Sequence, residues 1–263
     1  MTKVLLVGCG KMGSAMLAGW LERGLSPEDV VVVDPTGPDL DTVRVVGGEA
    51  SIPAGFAPDV VIFAVKPQVM AEVVPPYSRF GGSVFLSIAA GKTIAFFRAH
   101  LGQAATIVRA MPNTPAAVRR GITVCCAGPE VAQPARDLCQ SLLEAVGEVG
   151  WVEDEALMDA VTAVSGSGPA YIFLLAEAMT EAALAQGLPP ALAERLARAT
   201  VAGAGELLRL SSDSAAQLRK NVTSPGGTTA AALAVLMAEN NGLVSIMTEA
   251  VAAATRRGRE LAS

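Results

Sequence analysis

Two stretches of the chain hold residue types spaced for chemistry. The first is Asn221-Val222-Thr223-Ser224-Pro225-Gly226-Gly227-Thr228-Thr229, which stops any helix arriving from the N-terminal side and leads into the helix-forming run Ala230 to Ala238. The first N–H groups of such a helix lack partners within it and carry partial positive charge, and glycine leaves the backbone bare to an approaching ligand. The stretch therefore suits a carboxylate or a phosphate, with the Thr228 and Thr229 hydroxyls placed to touch whatever carries the anion. Alone, the same residues also suit an ordinary turn and N-cap. The second stretch, Gly8-Cys9-Gly10-Lys11-Met12-Gly13, is a G-x-G-x-x-G pattern between the apolar run Lys3 to Val7 and a segment with helical spacing at Met12, Met16, Leu17, Trp20 and Leu21. In that setting the first two glycines allow a tight turn and close approach to a pyrophosphate, and the third lets the helix pack on the strand.

The second strand pattern, Val30 to Val33, ends in Asp34, 21 residues after Gly13, close to the acidic position that meets the adenosine ribose. A carboxylate there accepts hydrogen bonds from ribose hydroxyls and repels a 2′-phosphate, which leans towards NADH. Thr36 is positioned to bind a phosphate if Asp34 turns away, so NADPH also stays open. Further strand patterns run from Asp59 to Ala64 and from Ser83 to Ile88. In a doubly wound sheet the strand ends face the ligand crevice, so Ala64-Val65-Lys66-Pro67 and Ala89-Ala90-Gly91 are expected to line the cofactor; Lys66 suits a solvated surface lysine equally well. Thr106 to Met111 is another strand, followed by Pro112-Asn113-Thr114-Pro115, a stiff loop suited to fixing a nicotinamide ring and a substrate. Strands at about Gly121 to Cys126 and Glu148 to Val152, flanking an amphipathic helix, complete the sheet.

The totals exclude other chemistries. The chain has 263 residues, 20 Lys plus Arg against 25 Asp plus Glu, and no basic block, which argues against nucleic acid as a partner. No apolar run reaches the roughly 18 residues of a membrane span, and the first residues enter a strand pattern at once, so the expectation is a soluble cytoplasmic protein with no membrane association. Cys9, Cys125, Cys126 and Cys139 lack metal-ligand or disulfide spacing, and His100 is the only histidine. A catalytic zinc or a Ser-His-Asp triad is thereby disfavoured and no metal is assigned. The chemistry has to come from a cofactor, backbone dipoles and hydroxyls.

After Glu153 strand patterns give way to helical periodicity. The expected helices are about 155–186, interrupted at Ser165-Gly166-Ser167-Gly168-Pro169-Ala170-Tyr171, then about 190–210, 215–221, 228–239 and 243–261. The chain thus reads as α/β: a Rossmann-type doubly wound sheet over residues 1–153, and an all-α domain over 154–263. Segments such as Ile172 to Leu184 are apolar round most of the helix, more than a domain of that size hides alone, which implies at least a homodimer.

Five motifs, Gly8-x-Gly10-x-x-Gly13, Val65 to Gln68, Met111 to Pro115, Ser165 to Tyr171 and Val222 to Thr229, together resemble pyrroline-5-carboxylate reductase, in the family's order and across almost the whole chain. The last two are highly specific, whereas the first is shared by many dehydrogenases. The resemblance implies reduction of 1-pyrroline-5-carboxylate to L-proline with NADPH or NADH, the final step of proline synthesis. It also implies an interlocked dimer of the helical domain and, in many members, a decamer. Carried over motif by motif, it places the pyrophosphate on Gly8 to Gly13, the nicotinamide side on Ala64 to Pro67 and Ala89 to Gly91, and Glu155 and Asn221 against the cofactor from the helical domain. The substrate carboxylate falls to the amides of Gly226, Gly227 and Thr228 beside Ser224, and the ring nitrogen to Thr229. The Asp34-Pro35-Thr36 loop shows no phosphate-binding pattern, which leaves the cofactor preference open. A 3-hydroxyacid dehydrogenase shares the two-domain plan but uses a lysine as its acid, and the only lysine here after Lys92 is Lys220.

Overall fold

The computed structural model describes residues 2–37 and 42–262. Short, mostly apolar runs form the strands β1 (Val4–Val7), β2 (Val30–Val33), β3 (Arg44–Val46), β4 (Val60–Phe63), β5 (Val84–Ser87), β6 (Thr106–Met111), β7 (Gly121–Ala127) and β8 (Gly147–Val152). They make one sheet in the order β3-β2-β1-β4-β5-β6-β7-β8. All neighbours pair in parallel except β6 and β7, which run antiparallel with Arg109 opposite Cys126. The sheet is therefore mixed. β3 is absent from the sequence reading because three residues, Arg44-Val45-Val46, are too few to display a period.

Strand side chains alternate between two cores. Val4, Leu6, Val32, Ile62 and Leu86 pack on Met16, Leu17 and Trp20 of helix α1 (Lys11–Glu22) and on Leu142 of the later helix Gln133–Leu143. The alternate residues Leu5, Val7, Phe63 and Phe85 pack on the opposite face. There they meet Met70 of α2 (Met70–Val73) and Phe97 of α3 (Ile94–Leu101). Both faces are buried, which is why these strands read as unbroken apolar runs. The Trp20 indole donates to Leu142 O at 2.8 Å, tying α1 to α4 (Gln133–Leu143).

Helical structure follows β8: a short α5 (Met158–Val161), a π turn over 162–166, then α6 (Gly168–Ala185), α7 (Pro190–Leu210), α8 (Ala215–Asn221), α9 (Thr228–Leu236) and α10 (Leu243–Ala262). The interruption expected over 165–171 is shorter and lies earlier: the π turn ends at Gly166 and α6 begins at Gly168, so Pro169, Ala170 and Tyr171 are already helical, with proline tolerated in the first turn. A Cβ on Gly166 would lie 2.5 Å from Met111 Cε, so in this arrangement the glycine makes room for the end of the methionine side chain. The α9 helix ends at Leu236, short of the expected Glu239, because Glu239-Asn240-Asn241-Gly242 is turn chemistry, with Asn241 at φ 64°.

By internal contacts the residues up to 166 and those from 254 onward form one compact unit, and Ser167–Ala253 a second. In the second unit only Ala193 and Ala197 among its hydrophobic residues are buried. Phe173, Leu174, Leu207, Leu210 and Val235 are each more than 60% exposed.

Candidate active site

Strand order reverses between β1 and β4, the point at which an open α/β sheet presents a ligand crevice at its strand ends. The loops after β1, β4, β5 and β6 all leave that edge, so the structure gathers Gly8 to Gly13, Ala64 to Pro67, Ala89 to Gly91 and Asn113 along one rim. Gly8 adopts φ +93°, and a Cβ there would meet Val65 Cγ1 at 2.7 Å. A Cβ on Gly13 would lie 2.5 Å from Gly8 O and 3.5 Å from Ala64 Cβ. Around Gly10, nothing lies within 4 Å of where a Cβ would be. Two glycines thus serve packing inside the protein and the middle one leaves backbone open to a ligand. This cradle fits a dinucleotide pyrophosphate at the head of α1, which has no side-chain cap of its own. Lys11 and Met12 open that helix.

Asp34 is buried, and its carboxylate is held on both oxygens. Oδ2 accepts from Cys9 N at 2.7 Å, while Oδ1 accepts from Thr36 N at 2.9 Å and from Thr36 Oγ1 at 2.5 Å. Burial by itself raises its pKa, but the bonds from Thr36 and Cys9 outweigh that and hold the carboxyl below the usual carboxylate range. It therefore enters the site as an anion that also clamps the glycine loop. Thr36 is spent on Asp34, an arrangement the sequence spacing does not display. The Cys9 thiol is pushed up by burial and by the Asp34 charge, so it stays neutral.

On the other side of the switch point, Ala64 N donates to Val7 O at 2.8 Å, Ile88 N donates to Phe63 O at 3.1 Å, and Gly91 turns with φ +73°. Lys66 is exposed, as a solvated lysine would be, and Val69 N donates to its carbonyl. The Asn113 Oδ1 accepts from Ile122 N at 3.0 Å, so this side chain braces the Pro112 to Pro115 loop against β7.

Glu155 has a local role that the spacing does not reveal. Its Oε1 accepts from Ile94 N at 2.8 Å and from Arg109 Nη1 at 3.1 Å, which joins the start of α3, the strand β6 and the residues after β8. Arg109 is missing from the sequence-derived site. It is 4% exposed, and the available signal was an arginine inside the apolar strand Thr106 to Met111. Facing it across the ladder, Cys126 is raised by burial and then by the Glu155 charge.

The remaining site residues lie in the second unit. Gly226 turns with φ +72°, with nothing within 4 Å of a would-be Cβ. Gly227 is the N-cap of α9 and its N–H donates to Ser224 O at 3.0 Å, so it closes the turn and its amide is occupied. No side chain caps α9, and the N–H groups of Thr228, Thr229 and Ala230 have no carbonyl to reach within the helix. Asn221 ends α8; its Oδ1 accepts from Gln217 Nε2 at 2.7 Å and its Nδ2 donates to Asp213 Oδ2 at 3.4 Å.

Residues 155–261 match the family profile described as pyrroline-5-carboxylate reductase dimerisation, and residues 3–91 match one described as NADP oxidoreductase coenzyme F420-dependent. The pyrroline-5-carboxylate reductase of Synechocystis sp. is 40% identical, over 97% of this chain and 97% of that protein. The structure of a pyrroline-5-carboxylate reductase from Coxiella burnetii is similar at a TM-score of 0.91 and 35% identity, covering 100% of this chain and 99% of that one. The Plasmodium falciparum pyrroline carboxylate reductase with NADP bound superposes at a TM-score of 0.84 and 28% identity, covering 100% and 98%. With a glycine cradle at the strand switch point and an uncapped α9 behind Pro225-Gly226-Gly227, the chain belongs to the pyrroline-5-carboxylate reductase family.

Proposed function

We propose that the protein reduces 1-pyrroline-5-carboxylate to L-proline with NADH or NADPH, the last step of proline biosynthesis. The observation that carries this reading is the bare N-terminus of α9, an anion anchor in a chain that also holds a dinucleotide cradle. The cradle residues Gly8 to Gly13 hold the pyrophosphate, and Ala64 to Pro67, Ala89 to Gly91 and Asn113 line the nicotinamide side. Glu155 serves that side by fixing the turn into α3 through Ile94, and the family resemblance assigns Asn221 to the cofactor as well. In this reading the Rossmann-type domain over 1–153 binds most of the cofactor, and the helical domain over 154–263 binds substrate and dimerises while contributing Glu155 and Asn221 to the cofactor.

Bound reduced nicotinamide supplies the hydride for the C=N carbon. The chain's own work is positioning. The amides of Gly226 and Thr228, beside Ser224, take the substrate carboxylate, with Gly227 shaping the turn. The Thr229 hydroxyl, one residue further along α9, hydrogen-bonds the ring nitrogen. Threonine is a weak acid, so orientation contributes more than proton transfer. Replacing Thr229 by alanine is expected to lower turnover at least about tenfold, the scale of a lost positioning or acid–base group, with NADH and NADPH dissociation constants unchanged. Unaltered turnover would remove the hydroxyl from the mechanism.

The ionised Asp34 stands at the end of β2, where its charge opposes a 2′-phosphate, so NADH is the proposed better reductant. Asp34→Asn removes that charge and retains an acceptor for Cys9 N. The ratio of kcat/KM for NADPH over NADH is expected to rise about tenfold or more, since a like-charge pair costs several kcal/mol. An unchanged ratio would dismiss Asp34 as the discriminator. The same carboxylate stabilises the fold in full above its unfolded pKa of roughly 3.9 and loses that increment as pH falls through its lower native value; the asparagine variant lacks this acid limb.

The helical unit, with almost no core of its own, supports a homodimer formed through its exposed leucines and Phe173. The decamer implied by the resemblance would scatter light as ten copies of the 26.8 kDa chain. Among the described residues no helix is long and apolar enough to cross a membrane. Four free cysteines suit a reducing, cytoplasmic setting, and burial pushes the Cys139 thiol up to about 12. The direct test is nicotinamide absorbance after mixing the protein with 1-pyrroline-5-carboxylate and either cofactor. Loss of absorbance with L-proline formed supports the assignment, and no loss in folded, cofactor-binding protein overturns it.

A further inference from the structure

The last residues of the chain, from 254 onward, belong to the same compact unit as the nucleotide-binding sheet. They form the end of α10, and there the helix meets α5 at close range. A Cβ on Gly258 would lie 3.2 Å from Asp159 Oδ1, tighter than most such contacts, and 3.4 Å from Asp159 Cβ, so there is no room beyond a Cβ for a larger side chain between the helices. Beside this contact lies a cavity of about 270 Å³. Pro67, Ala90 and Gly91, from the loops after β4 and β5, form one side; Thr162, Gly258 and Leu261 are on its walls as well. The glycine loop after β1 and Asp34 after β2 locate the pyrophosphate and adenosine ribose, so the β4 and β5 loops lie towards the other half of a dinucleotide.

We infer that the last turns of α10 form a wall of the nicotinamide end of the cofactor site, and that Gly258 is the positioning residue that lets this wall close. The inference rests on the dinucleotide assignment and adds to it a segment remote in sequence from every cofactor motif. Its consequence is selective. A branched side chain at 258 crowds Asp159 and parts α10 from α5, which disturbs the cavity by the β4 and β5 loops and leaves the Gly8 to Gly13 cradle and Asp34 alone.

The test compares two ligands in direct binding titrations, NADH and ADP-ribose, the second lacking the nicotinamide. In Gly258→Val the NADH dissociation constant is expected to rise at least about tenfold, the scale of overpacking a close contact, with the ADP-ribose constant within about twofold of wild type. Leu261→Ala, at an exposed position where folding is not at stake, opens the same wall and is expected to weaken NADH about threefold. An unchanged NADH constant in Leu261→Ala overturns the inference, and so does a loss shared equally by ADP-ribose in Gly258→Val. Neither reading uses imine turnover, so failure of the proposed reaction and failure of this wall are told apart.

Discussion

Replacing Gly13 by alanine is expected to weaken dinucleotide binding by about a hundredfold or more and to destabilise the fold by about 1–3 kcal/mol, whereas Gly10→Ala weakens binding with less than about 1 kcal/mol of stability lost. The contrast follows from what each glycine faces. At Gly13 the new methyl carbon would sit 2.5 Å from Gly8 O, and that carbonyl has little freedom to yield. Gly8 N donates to Val33 O at 2.8 Å, the next amide, Cys9 N, is held by Asp34, and Gly8 itself occupies φ +93°. Helix α1 therefore has to lift away from β1, and the amides that face the pyrophosphate move with it. At Gly10 no atom lies within 4 Å, and φ −69° is open to alanine, so the folded protein accommodates the change. The added methyl then occupies space a close-lying pyrophosphate needs. Urea denaturation paired with NADH titration separates the two effects. A Gly10→Ala protein that binds like wild type would show that the ligand does not approach this backbone.

The second large effect is expected at Glu155. Glu155→Ala strands the Arg109 guanidinium, 4% exposed, without its carboxylate and also removes the acceptor for Ile94 N, for an expected cost of about 3–5 kcal/mol. Arg109→Met is expected to cost clearly less, because the methionine fills apolar space and the Glu155 side chain, 29% exposed, can turn towards water while still receiving Ile94 N. The asymmetry is the diagnostic. Equal losses in the two variants would mean that the pair acts as a unit and not through a stranded charge. Because Ile94 opens α3 just after the Ala89 to Gly91 loop, the Glu155→Ala protein is also expected to bind NADH more weakly.

How much of this was legible beforehand depends on the range of the interaction. Unbroken runs such as Val30 to Val33 announced buried strands, because each residue in them faces one of two covered surfaces. The G-x-G-x-x-G spacing announced its turn, because strand, loop and helix are consecutive. The Pro225-Gly226-Gly227 stop announced the uncapped α9 for the same reason. In each case the determining physics lies within a few positions along the chain.

Tertiary structure alone decided the rest. Asp34 was visible as an acidic strand end, yet its two bonds to Thr36 and one to Cys9, 25 residues away, turned it into a clamp as well as a charge. The Glu155 carboxylate meets partners 46 and 61 residues distant, and no local pattern carries that information. The antiparallel turn of β7 against β6 follows from the Asn113 to Arg120 connection folding straight back, with Arg119 in the left-handed region at φ 58°, a local conformation that its residue type does not signal. Gly258 looked like any small residue in a helix until α10 was seen against Asp159. Amino-acid order by itself determined which segments bury their faces and where the backbone must turn, since those are short-range consequences of periodicity and glycine. Which charges pair, and which surfaces close the site, came from the folded chain, since only folding brings distant residues within hydrogen-bond reach.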